Sequence, residues 1–154
     1  MLSQHRQLIT RLVSGLSSEQ LTWTPPAASN NILWNLGHII AVQQLLHYRL
    51  AGLEPLAPKE LIAQCKPGSS PSEWTQSPDP DELKVLLLEL PERFEKDYAA
   101  GRFSTYSPYT TSTGVTLSSI DDAVAFNHFH EGLHAGIILS YKKQQGVSAL
   151  LADA

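Results

Sequence analysis

Residues 30–52, NNILWNLGHIIAVQQLLHYRLAG, decide the fold, because they hold a continuous helical pattern between two recognisable helix ends. Apolar side chains recur at helical spacing through the whole stretch. Asn30 or Asn31 can cap the beginning of the helix, and Gly52 stands where a glycine commonly ends one. The sequence therefore predicts one helix over most of this stretch.

Three other segments have the same helical spacing of apolar residues. They span residues 3–16, residues 81 to about 100, and residues 116–119 to about 146. Pro91 should kink or break the second of these three helices. Two aspartates stand in the first turn of the last helix and two lysines in its last turn, which is the distribution that the helix dipole favours.

The connection between the second and third predicted helices, residues 53–80, contains six prolines and is predicted to be a long loop. Such a loop can cross a whole bundle, because a helix of roughly 20 residues is only about 30 Å long. The helices that it joins can therefore be parallel. Trp74 is a candidate anchor for this loop, and residues 102–116 are predicted to form another loop. Four amphipathic helices without a strand pattern indicate an all-α four-helix bundle, in one domain over residues 1–154.

The composition limits the classes of partner and the compartment. The chain of 154 residues has 11 basic and 15 acidic side chains, a formal net charge of -4, and no basic run. This balance argues against nucleic acid or an anionic membrane as a partner. The single cysteine, Cys65, excludes an internal disulfide. With no visible secretory signal and no apolar run of membrane-spanning length, we expect a cytoplasmic protein.

Histidine is the residue type most worth following, since the chain has six of them. His130 and His134 are about 40° apart on the last helix, so they share a face, and apolar residues dominate that face. His38 lies on the apolar face of the second helix. His47 is nine residues further on, about 180° away, and is expected at the periphery.

Two interpretations of the three inward-facing histidines remain open. Each could be a hydrogen-bonded residue of the core. Alternatively, the three imidazoles could bind one metal ion, which would satisfy a ring nitrogen of each in a dry environment. Three neutral imidazoles would leave a fourth coordination position for water or a substrate atom, as in catalytic metal sites.

Residues 130–134, HEGLH, also match the HExxH pattern of zinc proteases. The third ligand of such proteases usually comes further along the chain. Beyond His134 there is neither a histidine nor a glutamate, and Asp153 is the only carboxylate. The sequence also predicts no sheet edge on which a peptide substrate would lie, so we do not expect a protease.

The sequence resembles the DinB-like superfamily of damage-inducible four-helix proteins. The resemblance rests on LGHI at residues 36–39, on His130, Glu131, His134 and Gly136, and on the lead-in strings LTWTPP at residues 21–26 and ILWNL at residues 32–36. These motifs occur in the family's order on the matching predicted helices. The likeness extends from about residue 3 to residue 146.

The resemblance implies an up-down-down-up bundle, often dimeric, with a divalent metal held by three histidines. In this sequence the corresponding ligands are His38, His130 and His134. Zinc or nickel suits imidazole ligands best, with iron and manganese as alternatives. Relatives are described as metal-dependent hydrolases or as thiol-dependent transferases and isomerases. We therefore expect a small-molecule substrate, with a low-molecular-weight thiol as a possible co-substrate, and a homodimer.

Glu131 is the candidate general base, because it neighbours a ligand and lies about 60° from His134 on the helical wheel. The alternative is a glutamate that faces solvent. Asn35 and Asn127 each stand one turn before a ligand, where they could orient that ligand, bind substrate or do neither.

Two functional hypotheses follow. In the first, the protein is a metal-dependent enzyme with an open coordination position at the base of a pocket, whose mouth Tyr106 and Tyr109 could line. In the second, the metal or the histidine cluster only stabilises the bundle, and the protein is a binding or stress-response module with a closed site.

Overall fold

The computed structural model describes residues 1–147, and the chain in it is mostly helical. The α-helices are α1 (Leu2–Val13), α2 (Ser18–Thr22), α3 (Ile32–His47), α4 (Lys59–Cys65), α5 (Pro80–Ala99) and α6 (Ile120–Gln144). Two 3₁₀ turns, Arg49–Ala51 and Pro71–Glu73, and two short strands, β1 (Tyr109–Thr110) and β2 (Thr116–Leu117), complete the described elements. The strands pair antiparallel, with Tyr109 opposite Leu117.

This architecture confirms the predicted all-α class. The four long helices α1, α3, α5 and α6 lie where the sequence predicts them, and α5 continues through Pro91 without ending there. Residues 148–154 of the predicted domain, which include Asp153, lie outside the described residues. Within residues 1–147, no helix combines the length and the apolar character that crossing a bilayer requires.

The proline-rich crossover differs from the structureless loop predicted for it. It contains α4, which begins directly after Pro58. The side chain that anchors the crossover to the core is Trp74, as expected. The Trp74 ring packs against the core, and its Nε1 donates to the carbonyl of Gln64 at 3.1 Å. Periodicity could not reveal α4, because one seven-residue helix is too short for an amphipathic pattern to stand out.

The central element is α3, in which every residue except Leu45 is buried. Its helical start is fixed by Asn31, whose side chain accepts a hydrogen bond from the Trp34 amide at 2.8 Å. A helix that is enclosed on all sides by protein can be apolar all round. The expected peripheral position of His47 is therefore wrong, because its ring is fully buried against Phe94.

The other long helices surround α3. Helix α3 packs most extensively against α6 and α4 and less extensively against α5, while α1 packs against α5 and α6. Ser3 at the beginning of α1 donates to Glu95 near the end of α5 at 3.2 Å. Near the other end of α1, the carbonyl of Leu12 accepts from Lys142 Nζ of α6 at 2.6 Å.

Helix α4 approaches α3 at Gly37, where no side chain separates the two backbones. A Cβ atom built at Gly37 would lie 2.4 Å from the Cys65 sulfur and 3.1 Å from the Cys65 Cβ. Both distances are shorter than ordinary van der Waals contact, so glycine is required here by space and not by its backbone angles. This contact sets the position of Cys65 and of its carbonyl.

Changing Gly37→Ala should lower the free energy of unfolding by about 1–3 kcal/mol, because the new methyl group overlaps the Cys65 side chain. Urea denaturation measures this change. The matched control is Gly132→Ala on α6, where nothing lies within 4 Å of the new Cβ, so alanine should stabilise the helix by up to about 1 kcal/mol. Equal effects of the two substitutions would contradict the close contact.

Candidate metal centre

The structure brings together the three histidines that the sequence singles out. His38 projects from α3, and His130 and His134 project from successive turns of α6. The Nε2 atom of His130 lies 3.3 Å from Nε2 of His38 and 3.1 Å from Nε2 of His134. All three ligand atoms lie within 4.8 Å of one another.

Hydrogen bonds on the far side of two rings set their tautomers. Nδ1 of His38 lies 2.7 Å from the carbonyl oxygen of Cys65, and Nδ1 of His134 lies 2.7 Å from Oδ1 of Asn35. The Asn35 amide is itself held by donating to the carbonyl of Asn31 at 2.7 Å. Because both partners are acceptors, each Nδ1 carries the proton. The lone pairs of the two Nε2 atoms therefore face the cluster.

Burial keeps the three imidazoles neutral. Burial, together with the smaller effect of the neighbouring histidines, lowers the pKa of His130 to about 3 and that of His134 to about 4. The pKa of His38 is also lowered, since burial outweighs its hydrogen bond to Cys65. Neutral imidazole is the form that binds a metal ion.

The cluster fits a divalent metal ion better than it fits a hydrogen-bonded core. Even with its proton on Nε2, His130 could donate to only one of the two facing nitrogens, so at least one buried lone pair would stay without a partner unless a cation lies between the rings. Nitrogens about 2.0–2.1 Å from a tetrahedral metal stand roughly 3.3 Å apart, which is close to the spacings found here. The three histidines could therefore hold a metal ion and leave a fourth position open.

The open side of the cluster faces a pocket of about 460 Å³. Most of its walls are apolar and come from α3, α6 and the 3₁₀ turn after α3. The apolar wall residues include Val42, Leu45, Leu46, Leu50, Phe126, Phe129 and Leu133. The cluster thus lies at one end of a cavity that is large enough for a small organic molecule.

Comparison with known protein families supports this assignment of the site. Residues 1–138 match the family model of the DinB superfamily. The chain belongs to the DinB superfamily. This is a metal-binding family, which agrees with the three-histidine cluster. A search of curated proteins finds no match to the chain.

The structure does not bring Glu131 of this DinB-superfamily protein into the pocket. Its side chain is 1% exposed and lies on the core side of α6. Oε1 of Glu131 accepts from Arg6 Nε at 2.8 Å and from Asn127 Nδ2 at 2.7 Å. A carboxylate held by two donors inside the bundle is not placed to take a proton from a substrate. This placement fits neither the expected general base nor the solvent-facing alternative.

Arg6, the partner of Glu131, is not among the residues predicted from the sequence motifs. Its guanidinium is completely buried, and Nη2 lies 2.7 Å from Oε1 of Glu131. A signal was available, because Arg6 stands at helical spacing between the buried residues Leu2 and Ile9 of α1. A basic residue on the apolar stripe of a helix requires a buried acceptor.

Other buried polar atoms flank this ion pair. Nε2 of Gln43, Oδ1 of Asn127, Oε2 of Glu131 and both ring nitrogens of His47 have no hydrogen-bond partner among the described residues. The pKa of His47 falls to about 3, chiefly because of burial and also because of the Arg6 charge. Buried groups of this kind are where ordered water molecules are expected.

The remaining candidate residues divide between the pocket and the core. Asn35 orients the His134 ring, whereas Asn127 donates to Glu131. Tyr109 lines the pocket, but the Tyr106 hydroxyl donates to the carbonyl of Leu46 at 3.0 Å and does not line it. Burial raises the pKa of Cys65 to about 12, so its thiol is not a nucleophile at neutral pH.

Changing Glu131→Gln should lower the free energy of unfolding by about 3–5 kcal/mol, because it leaves the Arg6 charge buried and unpaired. The control is Glu54→Gln, which removes an exposed ion pair with Lys59 and should cost less than about 1 kcal/mol. Thermal or urea denaturation compares the two variants. If Glu131→Gln is as stable as the unmodified protein, the buried ion pair is not the role of this carboxylate.

The pH dependence of stability should contain a contribution from His47. Its ordinary pKa is 6.5 and its folded pKa is about 3, so the unfolded chain gains a proton in this interval while the folded chain does not. The free energy of unfolding should therefore fall as the pH is lowered from about 6.5 towards 3, by up to about 1.4 kcal/mol per pH unit. Denaturation of His47→Leu should give a shallower pH dependence, and an unchanged slope would contradict a neutral His47.

Proposed function

We propose that this protein is a metal-dependent enzyme that acts on a small molecule. His38, His130 and His134 are the proposed metal ligands. The observation that carries the proposal is the position of the cluster: three neutral imidazoles converge at the end of an apolar pocket that opens to solvent. Zinc or nickel is the proposed ion, because imidazole nitrogens suit both.

A divalent ion held there would act as a Lewis acid and lower the pKa of a water or thiol in its open position. The chain supplies the neutral ligands, their orientation through Cys65 and Asn35, and the apolar walls. No carboxylate and no lysine lines the pocket among residues 1–147. The lining residues therefore suit a reaction whose nucleophile is deprotonated without the help of a side-chain base.

Thiol-dependent transfer meets this requirement better than hydrolysis. Coordination to a metal deprotonates a thiol outright, whereas it brings the pKa of water only to about 7. The apolar walls also suit an organic electrophile more than they suit free water. We therefore place transfer of a low-molecular-weight thiol ahead of hydrolysis for this site.

The helix order proposed for the bundle is up-down-down-up. The Ser3–Glu95 bond supports opposite directions for α1 and α5, since it joins the start of one helix to the end of the other. The Arg6–Glu131 and Leu12–Lys142 contacts support the same direction for α1 and α6. A homodimer remains part of the proposal, and the exposed Phe129 beside the pocket is a side chain that a second copy could cover.

Elemental analysis of untagged protein should find about one zinc or nickel ion per chain. The ion should be lost from His38→Ala and from the His130→Ala, His134→Ala double variant. His128→Ala is the control, because His128 lies on α6 but outside the cluster and should leave the metal content unchanged. Retention of the metal by the double variant, or failure of the protein to take up metal on reconstitution, would overturn the proposed site.

The reaction class is tested with model substrates on the metal-loaded protein. Conjugation of 2-mercaptoethanol to 1-chloro-2,4-dinitrobenzene should be accelerated and should be lost in His38→Ala. Hydrolysis of 4-nitrophenyl acetate alone would reassign the protein as a hydrolase. If neither reaction is accelerated, and removal of the bound metal lowers the melting temperature, the result would favour a metal-stabilised binding module.

A further inference from the structure

Among the described residues, the pocket contains one charged side chain, since its histidines are neutral. Arg49 lines the cavity, and it is the only acidic or basic side chain to do so within residues 1–147, histidines apart. The other polar lining residues carry neutral hydroxyl groups and come from β1 and the turn after it. They are Tyr109, Thr111, Ser112 and Thr113.

Helical geometry places Arg49 at the opposite end of the pocket from the metal centre. Arg49 follows His38 by 11 residues, which is three turns, so both side chains point to the same side of the helix. The backbone keeps its helical direction between them, since Tyr48 has helical dihedral angles and a 3₁₀ turn begins at Arg49. The axial rise over 11 residues is about 16 Å. A ligand of moderate length could span this distance, with side chains reaching inward from both ends.

The guanidinium of Arg49 is available to a ligand. It makes no ion pair and no side-chain hydrogen bond within the described part of the chain. Glu54 shares a neighbouring depression with Arg49. Glu54 is bonded instead to Lys59, at 3.0 Å.

We propose that the pocket takes a substrate with an apolar body and an anionic end, in the simplest case a carboxylate, which Arg49 binds. The other end of this substrate reaches the three-histidine centre, so the proposal rests on the proposed function for the placement of the reacting atom.

Two features of the site support a substrate with an apolar body and an anionic end. A guanidinium matches a carboxylate with two parallel hydrogen bonds. The apolar walls between the two polar ends suit the apolar body of such a substrate.

Two matched probes test this proposal by binding, without any turnover. 8-Mercaptooctanoate and 8-mercapto-1-octanol have the same thiol and the same chain, and they differ in the charge of the far end. Each is titrated into cobalt(II)-loaded protein, in which a thiol that reaches the metal produces a new charge-transfer absorption band. The variants are Arg49→Met and, as a surface control, Arg11→Met, which is exposed on α1.

The unmodified protein and Arg11→Met should bind the carboxylate probe about tenfold more tightly than the alcohol probe. The preference should vanish in Arg49→Met, should weaken with added salt, and should be absent for 3-mercaptopropionate, which is too short to reach Arg49. Affinity for the alcohol probe should be the same in all three proteins.

Failure of this proposal and failure of the proposed function give different results. Equal affinities for the two long probes, or a carboxylate preference that survives in Arg49→Met, would overturn the role of Arg49 while leaving the metal centre intact. If neither probe alters the cobalt spectrum, the open coordination position itself is wrong. Circular dichroism and cobalt content of Arg49→Met, both expected to be unchanged, confirm that the variant is folded and loaded.

Discussion

The close contact between α3 and α4 at Gly37 is the constraint on which the three-histidine cluster depends. Because no Cβ stands at this position, Cys65 can approach α3 closely enough for its carbonyl to accept from Nδ1 of His38. That hydrogen bond directs Nε2 of His38 towards α6. A larger residue at Gly37 would separate the helices and release the ring, so packing of the crossover and chemistry at the cluster are coupled.

Helix α6 serves two environments from adjacent faces. Asn127 and Glu131 point into the bundle, where they meet Arg6, while His130 and His134 point into the pocket. The buried ion pair is a costly way to fill a core, since apolar residues of similar size are often at least as stable. Arg6 lies on α1 and Glu131 on α6, so the ion pair fixes the axial position of α6 relative to α1. It thereby also fixes where His130 and His134 lie along the bundle axis.

Much of the fold and the centre of the site could be predicted from the sequence, for identifiable reasons. The four long helices have recognisable ends, and the three histidines lie one turn apart or on the face of α3 that meets them. The hydrogen-bond partners of the histidines were harder to predict. The acceptor for His38 is the backbone carbonyl of Cys65, which no pattern of side chains encodes. The predicted role of Glu131 was wrong because it was inferred from the adjacent residue His130. The side chain that Glu131 contacts is Arg6, which is 125 residues away in the sequence.

The face of α6 that its hydrophobic pattern assigns to the core instead lines the pocket. Half of the buried residues of this helix are polar, namely Asn127, Glu131 and Lys142, while the apolar side chains of Phe129 and Leu133 are about half exposed. Hydrophobic periodicity assigns the apolar stripe to the core, because it assumes that apolar side chains lie inside. Large apolar side chains left in water beside three convergent imidazoles are costly for a monomer, and they are explained if a ligand or a second chain covers them. The mismatch between the apolar pattern of α6 and its actual burial is therefore an indication of a binding surface at this face.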